Sequence, residues 1–149
     1  MVFGKMAAML GLILAVTATV VSAAEVIDSR EVIYLNQAEK HHVLTEMRLF
    51  LTSVQQIIEG VTEEDITKIV KYAKKSGKAG GGGAPSTLRH KLPKTFKLLG
   101  SQTHMKFDQL ALDTADLEDP GLALQQLSTL MKNCLACHSK FRIELSTTQ

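Results

Sequence analysis

The chain has no tryptophan, and aromatic residues make up only 5% of its 149 residues. It has no marked excess of charge of either sign: 17 basic and 15 acidic residues leave a formal net charge of +2. That balance gives no support to nucleic-acid binding, which needs a clustered basic face. No Ser/His/Asp set, catalytic carboxylate pair or metalloprotease motif is present, so an enzyme is not indicated. The acidic run Glu63-Glu64-Asp65 reads as the start of a helix, where carboxylates meet the positive end of the dipole. There is no internal repeat, and no strand-like alternation stands out. Beyond the N-terminus no run is apolar enough to cross a membrane.

There are only two cysteines, and both fall in one short run, Cys134-Leu135-Ala136-Cys137-His138. The spacing C-x-x-C-H is that of covalent haem attachment. Two thiols add to the two porphyrin vinyl groups, and the adjacent imidazole reaches the iron from the same helical turn. A thioredoxin-like dithiol would need a surrounding βαβ pattern, which is absent. A zinc site needs four ligands. Only His41, His42, His90 and His104 could complete one, and none shows paired spacing. A disulfide would close a very tight loop of little entropic value. The pattern therefore favours one covalent haem c with its iron over zinc or a disulfide.

The N-terminus carries an independent signal. Lys5 precedes the apolar run Met6–Val21, and Ser22-Ala23-Ala24 follows. A basic start, a short hydrophobic stretch and a small-residue cleavage site define a secretory signal peptide over residues 1–24. The apolar stretch falls short of the roughly 20 residues that span a bilayer. Residues 25–149 then form one exported domain, with no membrane span once the signal is removed. Bacterial haem attachment of this kind takes place outside the cytoplasm, so both signals point to the periplasm.

The exported part reads as helices, with apolar residues recurring at three and four. Helix A is expected from about Val32 to Ile58, with Leu44, Met47, Leu51, Val54 and Ile58 on one stripe and Gly60 as its stop. Helix B is expected from a cap at Thr62 to Ser76, closed by Gly77. A flexible glycine-rich loop follows at about 77–87, containing Gly80-Gly81-Gly82-Gly83. Helix C is expected from Pro93 to about Ala115, with Phe96, Leu99, Phe107, Leu110 and Ala111 inward and Gly100 as a bend or break. Helix D opens at Asp119-Pro120-Gly121 and runs through His138 and Phe141. Four helices with mostly short links predict an all-α antiparallel four-helix bundle with haem on the C-terminal helix. Such a small, aromatic-poor chain would gain core from a large cofactor.

The motif lies close to the C-terminus, on the last of four helices, and is followed by Phe141-Arg142. In this placement, and over residues 134–142, the chain resembles the class II cytochromes c, the cytochrome c′ family and its low-spin relatives. The resemblance implies thioethers at Cys134 and Cys137 and His138 as the proximal iron ligand. Arg142, four residues after His138 and on the same face of helix D, would lie in the haem environment and raise the potential. A surface arginine packed on Phe141 is the other reading. In this family the distal position is filled from the first helix. Low-spin members place a methionine there, and Met47 is the candidate distal ligand. Met105, His104 and His41 or His42 are alternatives, as is an open site. Where relatives often carry an arginine one turn earlier, this chain has Val43, with Arg48 following Met47.

The resemblance implies single-electron transfer between redox partner proteins through a His138/Met47-ligated iron. The alternative is a five-coordinate protein that binds NO or CO. Lys68, Lys71, Lys74, Lys75 and Lys78 cluster, as do Arg89, His90, Lys91, Lys94 and Lys97. Either group is a steering patch for an acidic partner or simply a solvated face. Apolar residues on more than one face of helix A, among them Leu49 and Phe50, permit a homodimer.

Overall fold

The computed structural model describes residues 27–80 and 83–147. The expected signal peptide, and Gly81 and Gly82 of the glycine-rich loop, lie outside the described residues. The architecture is mostly helical: α1 (Gln37–Thr62), α2 (Ile66–Ser76), α3 (Ser86–Lys91), α4 (Lys94–Leu117) and α5 (Pro120–Lys140). Two short strands, β1 (Glu31–Leu35) and β2 (Phe141–Leu145), flank the helices in sequence and pair in parallel, with Ile33 opposite Ile143.

The helix boundaries follow local chemistry. Asn36 accepts a hydrogen bond from the Glu39 amide at 2.9 Å, and Glu39 accepts one from the Asn36 amide at 3.0 Å. This capping box fixes the start of α1 at Gln37, five residues later than expected. The β-branched Val32 and Ile33 before it are left free to extend. Ile33 and Leu35 point into the interior, with Tyr34 exposed between them. The alternation is real but only five residues long. At its other end α1 runs through Gly60 rather than stopping there. A Cβ on Gly60 would stand 2.8 Å from Ile69 Cγ1, so glycine is what lets α2 approach so closely. Asp65, not Thr62, caps α2 by accepting from the Lys68 amide at 2.8 Å.

Gly77 closes α2 as expected, and a Cβ there would overlap the Asp108 carboxylate. The linker that follows holds an unexpected single-turn helix, α3. α4 passes unbroken through Gly100. Asp119 caps α5 by accepting from the Leu122 amide at 3.0 Å, with Pro120 in the first turn. α5 stops at Lys140. Phe141 and Arg142, expected to continue it, belong to β2, because β1 offers their backbone a ladder.

α1 packs on α2, α2 on α4, α4 on α5, and α1 also on α5, while α2 and α5 barely touch. Two apolar clusters fill the interior. The first joins Phe50, Ile57, Ile69, Phe107, Leu110, Leu127 and Leu130. The second joins Ile33, Leu35, Val43, Leu88, Leu92 and Phe141. α1 buries Val43, Phe50, Ser53, Ile57 and Gly60. The expected stripe is thus rotated by one residue, leaving Leu51 69% and Ile58 42% exposed.

Candidate functional site

The motif lies within the last two turns of α5. Cys134 and Cys137 lie one helical turn apart, so both project to one side of the helix. Both are half-buried free thiols. Cys134 packs against the first cluster and Cys137 against the second. Burial pushes both thiols above their ordinary pKa; for Cys137 the neighbouring Cys134 adds to the rise. Neutral, partly buried thiols make poor zinc ligands until deprotonated. Among the described residues no group of three or more metal-binding side chains accompanies them.

His138 is exposed, and its ring makes no hydrogen bond among the described residues. Its backbone is held firmly: Arg30 Nη1 donates to the His138 carbonyl at 3.2 Å and to the Phe141 carbonyl at 3.5 Å. A guanidinium at the last carbonyls of a helix satisfies orphan acceptors and opposes the negative end of the dipole. Asp28 orients Arg30 through a hydrogen-bonded ion pair at 2.6 Å. That pairing lowers the Asp28 carboxyl to about 2. The sequence carried no signal for this clamp, because Arg30 lies 108 positions from His138.

Met47, on α1, is half-buried and packs against both clusters. Met47 thus packs against each of the two clusters on which the thiols pack. The other candidate ligands are placed differently. His104 Nδ1 donates to the Ser76 carbonyl at 2.8 Å, and Nε2 faces Glu46 at 3.3 Å. Its ring stands edge-on to Phe50. The Glu46 carboxylate raises the His104 pKa above the ordinary 6.5, against the opposing effect of burial, with the Ser76 carbonyl and Asp108 adding to the rise. Met105 and Met131 are 42% and 41% exposed. His41 and His42 line a cleft of about 400 Å³ between the start of α1 and α3, which no residue of the motif lines.

Arg142 is not on the helical face of His138. It lies on β2, opposite Val32, and pairs with Glu144 and more distantly with Asp28 at 3.9 Å. Its Nε is buried without a hydrogen bond. Two carboxylates thus already oppose its charge. Val43 is buried in the second cluster and Arg48 is exposed.

Just before the motif, buried Asn133 receives a hydrogen bond from Lys106 Nζ at 3.0 Å and donates to Thr103 Oγ1 at 3.4 Å. This ties α4 to α5 immediately ahead of Cys134.

The residues present suit a covalently bound haem: two free thiols one turn apart and half-buried, with an unengaged imidazole beside them. No family model matches the chain, and no curated protein or solved structure matches it.

Proposed function

We propose that this chain is an exported, periplasmic c-type cytochrome with one covalent haem, a class II-like four-helix bundle that passes single electrons between redox partner proteins. Cys134 and Cys137 would hold the porphyrin through thioethers, and His138 would supply the proximal ligand. Met47 is the best-placed distal ligand, and an enzyme role is not proposed. The haem supplies a reversible one-electron couple when bound, with potential set by axial ligands and burial. The chain's own contribution is positional. The Arg30 clamp fixes the turn that carries His138, and α1 sets Met47 against both of the clusters on which the thiols pack.

The observation that supports this reading is the packing of Met47 against both clusters, of which one receives Cys134 and the other Cys137. Met47 is the only methionine among the described residues packed against both clusters, whereas both ring nitrogens of His104 are engaged elsewhere. A five-coordinate protein binding NO or CO is the second reading, since a half-buried methionine also fills gaps in a core. A homodimer would use the exposed Leu51 and Ile58 of α1, not the buried Phe50.

Mass spectrometry of the exported protein tests the first step: covalent haem adds its mass, whereas a disulfide removes two hydrogens. The visible spectrum, reduced, with and without CO, tests the second. Sharp low-spin bands that resist CO are expected. A broad high-spin spectrum that shifts with CO would move the assignment to the gas-binding reading. Met47→Ala should abolish the low-spin bands while costing less than about 2 kcal/mol in stability, because the side chain is only half-buried. An unchanged spectrum would remove Met47 from the site.

A further inference from the structure

Charge is separated along the length of the molecule. At the end remote from the motif, the α1–α2 turn carries Glu63, Glu64 and Asp65, and the α4–α5 turn carries Asp116, Glu118 and Asp119. The cation next to the first of these turns, Lys68 in the first turn of α2, is held by Glu59 at 3.2 Å and Glu63 at 2.7 Å. Residues 109–127 contain no lysine or arginine.

The motif end is the opposite. Phe96 of α4 meets Phe141 edge-on at 5.6 Å, which brings the start of α4 beside the end of α5. Lys94 and Lys97 are exposed there, and Lys97 Nζ reaches the Arg89 carbonyl of α3 at 3.4 Å. Lys140, two residues past His138, lies over the Phe141 ring at 5.5 Å. Arg89, Lys94, Lys97 and Lys140 make no ion pair among the described residues. The acids at this end are largely committed: Glu39 is buried against Lys91, and Asp28 and Glu144 face Arg30 and Arg142. Among the described acids at this end, Glu31 alone is exposed without an ion pair.

We infer that the surface formed by Arg89, Lys94, Lys97 and Lys140 docks a compact redox protein through an acidic face. The inference rests on the reading of the motif as a haem site. The rival patch, Lys71, Lys74 and Lys75, lies on α2, diagonally across from α5. A partner seated there would be separated from the motif by the breadth of the molecule, and electron transfer falls steeply with distance. The acidic far end repels an acidic partner and turns the basic end toward it before contact, which raises the productive encounter rate. The acidic turns confine the favourable contact to one end of the molecule, which fits a compact partner.

The test uses the full exported protein and poly-L-glutamate as the probe, followed by amide chemical shifts. Shifts are expected around Arg89, Lys94, Lys97 and Lys140, and they should vanish at high salt. Lys94→Glu with Lys97→Glu should weaken binding, and should slow oxidation of the reduced protein by hexacyanoferrate(III), each by about 10-fold at low salt. Lys71→Glu with Lys74→Glu should leave both nearly unchanged. Shifts centred on α2, or concentration-dependent self-association joining the two ends, would overturn the docking face. The haem mass is read separately. Its absence would defeat the functional reading even where the probe maps to this face, so the two failures are distinguishable.

Discussion

The interior shared by α1, α2, α4 and α5 and the cluster beneath the two strands are built in different ways. In the first, Ile57, Ile69, Phe107, Leu110 and Leu130 are fully buried, each supplied by a long helix. Burial of each such side chain contributes about 1.5–3 kcal/mol. The second is assembled from short pieces: β1, β2, the single-turn α3, and the ends of α1, α4 and α5. Along its boundary sit half-buried Met47, Leu99, Ala84 and Cys137. A close-packed helical interior tolerates little change, whereas a cluster gathered from short segments and edged by half-buried side chains holds together only through long-range contacts. The first cluster thus rests on side chains the helices bury along their length, and the second on contacts between distant segments.

The sharpest way to break that division is Phe107→Ala. Phe107 is fully buried and stacks on Phe50 at 5.6 Å. The cavity should cost about 3–5 kcal/mol, read from the urea midpoint, while on the proposed reading the haem spectrum of the folded variant stays unchanged. A spectral change would mean the two halves are coupled.

Ser76 donates to Ser53 at 2.7 Å, with both hydroxyls fully buried. Ser76→Ala strands its partner and should cost about 1–3 kcal/mol. Adding Ser53→Ala should recover much of the loss, and a double-mutant cycle in urea measures the coupling.

At the motif end the expected effects are smaller. Asn36→Ala removes the side-chain half of the capping box and should cost about 1 kcal/mol. The loss should appear as faster amide exchange over the first turn of α1, with the α2–α4 interior unaffected.

The smallest effect is a pH dependence at His104. Its folded pKa is raised, so its contribution is fully present below the ordinary value of 6.5 and is lost as pH rises through the folded value. Urea midpoints on either side of that range should fall with rising pH, and His104→Gln should flatten the slope.

Much of this was legible along the chain. The caps at Asp119 and Gly77, the helical α2, α4 and α5, and the inward Phe107, Leu110 and Ala111 follow from periodicity and end chemistry. The capping box Asn36…Glu39 was also present in the sequence, and it outweighs the apolar run before it. Other features were not legible. Apolar residues on α1 recur every seven positions in two neighbouring sets, Val43/Phe50/Ile57 and Leu44/Leu51/Ile58, and either could face inward. Gly60 looked like a stop because its role depends on Ile69, a contact made only after α2 folds back.

The sequence by itself determined the helical period, most of the caps and the C-x-x-C-H spacing, because these depend on residues a few positions apart. Only the tertiary structure decided which face of α1 is buried, that Phe141 and Arg142 leave α5 to pair with β1, that Arg30 clamps the turn of His138, and that Met47 meets both clusters. Each of these is a contact between distant segments. Its energy depends on what the partner surface offers, and that surface exists only once the chain has folded.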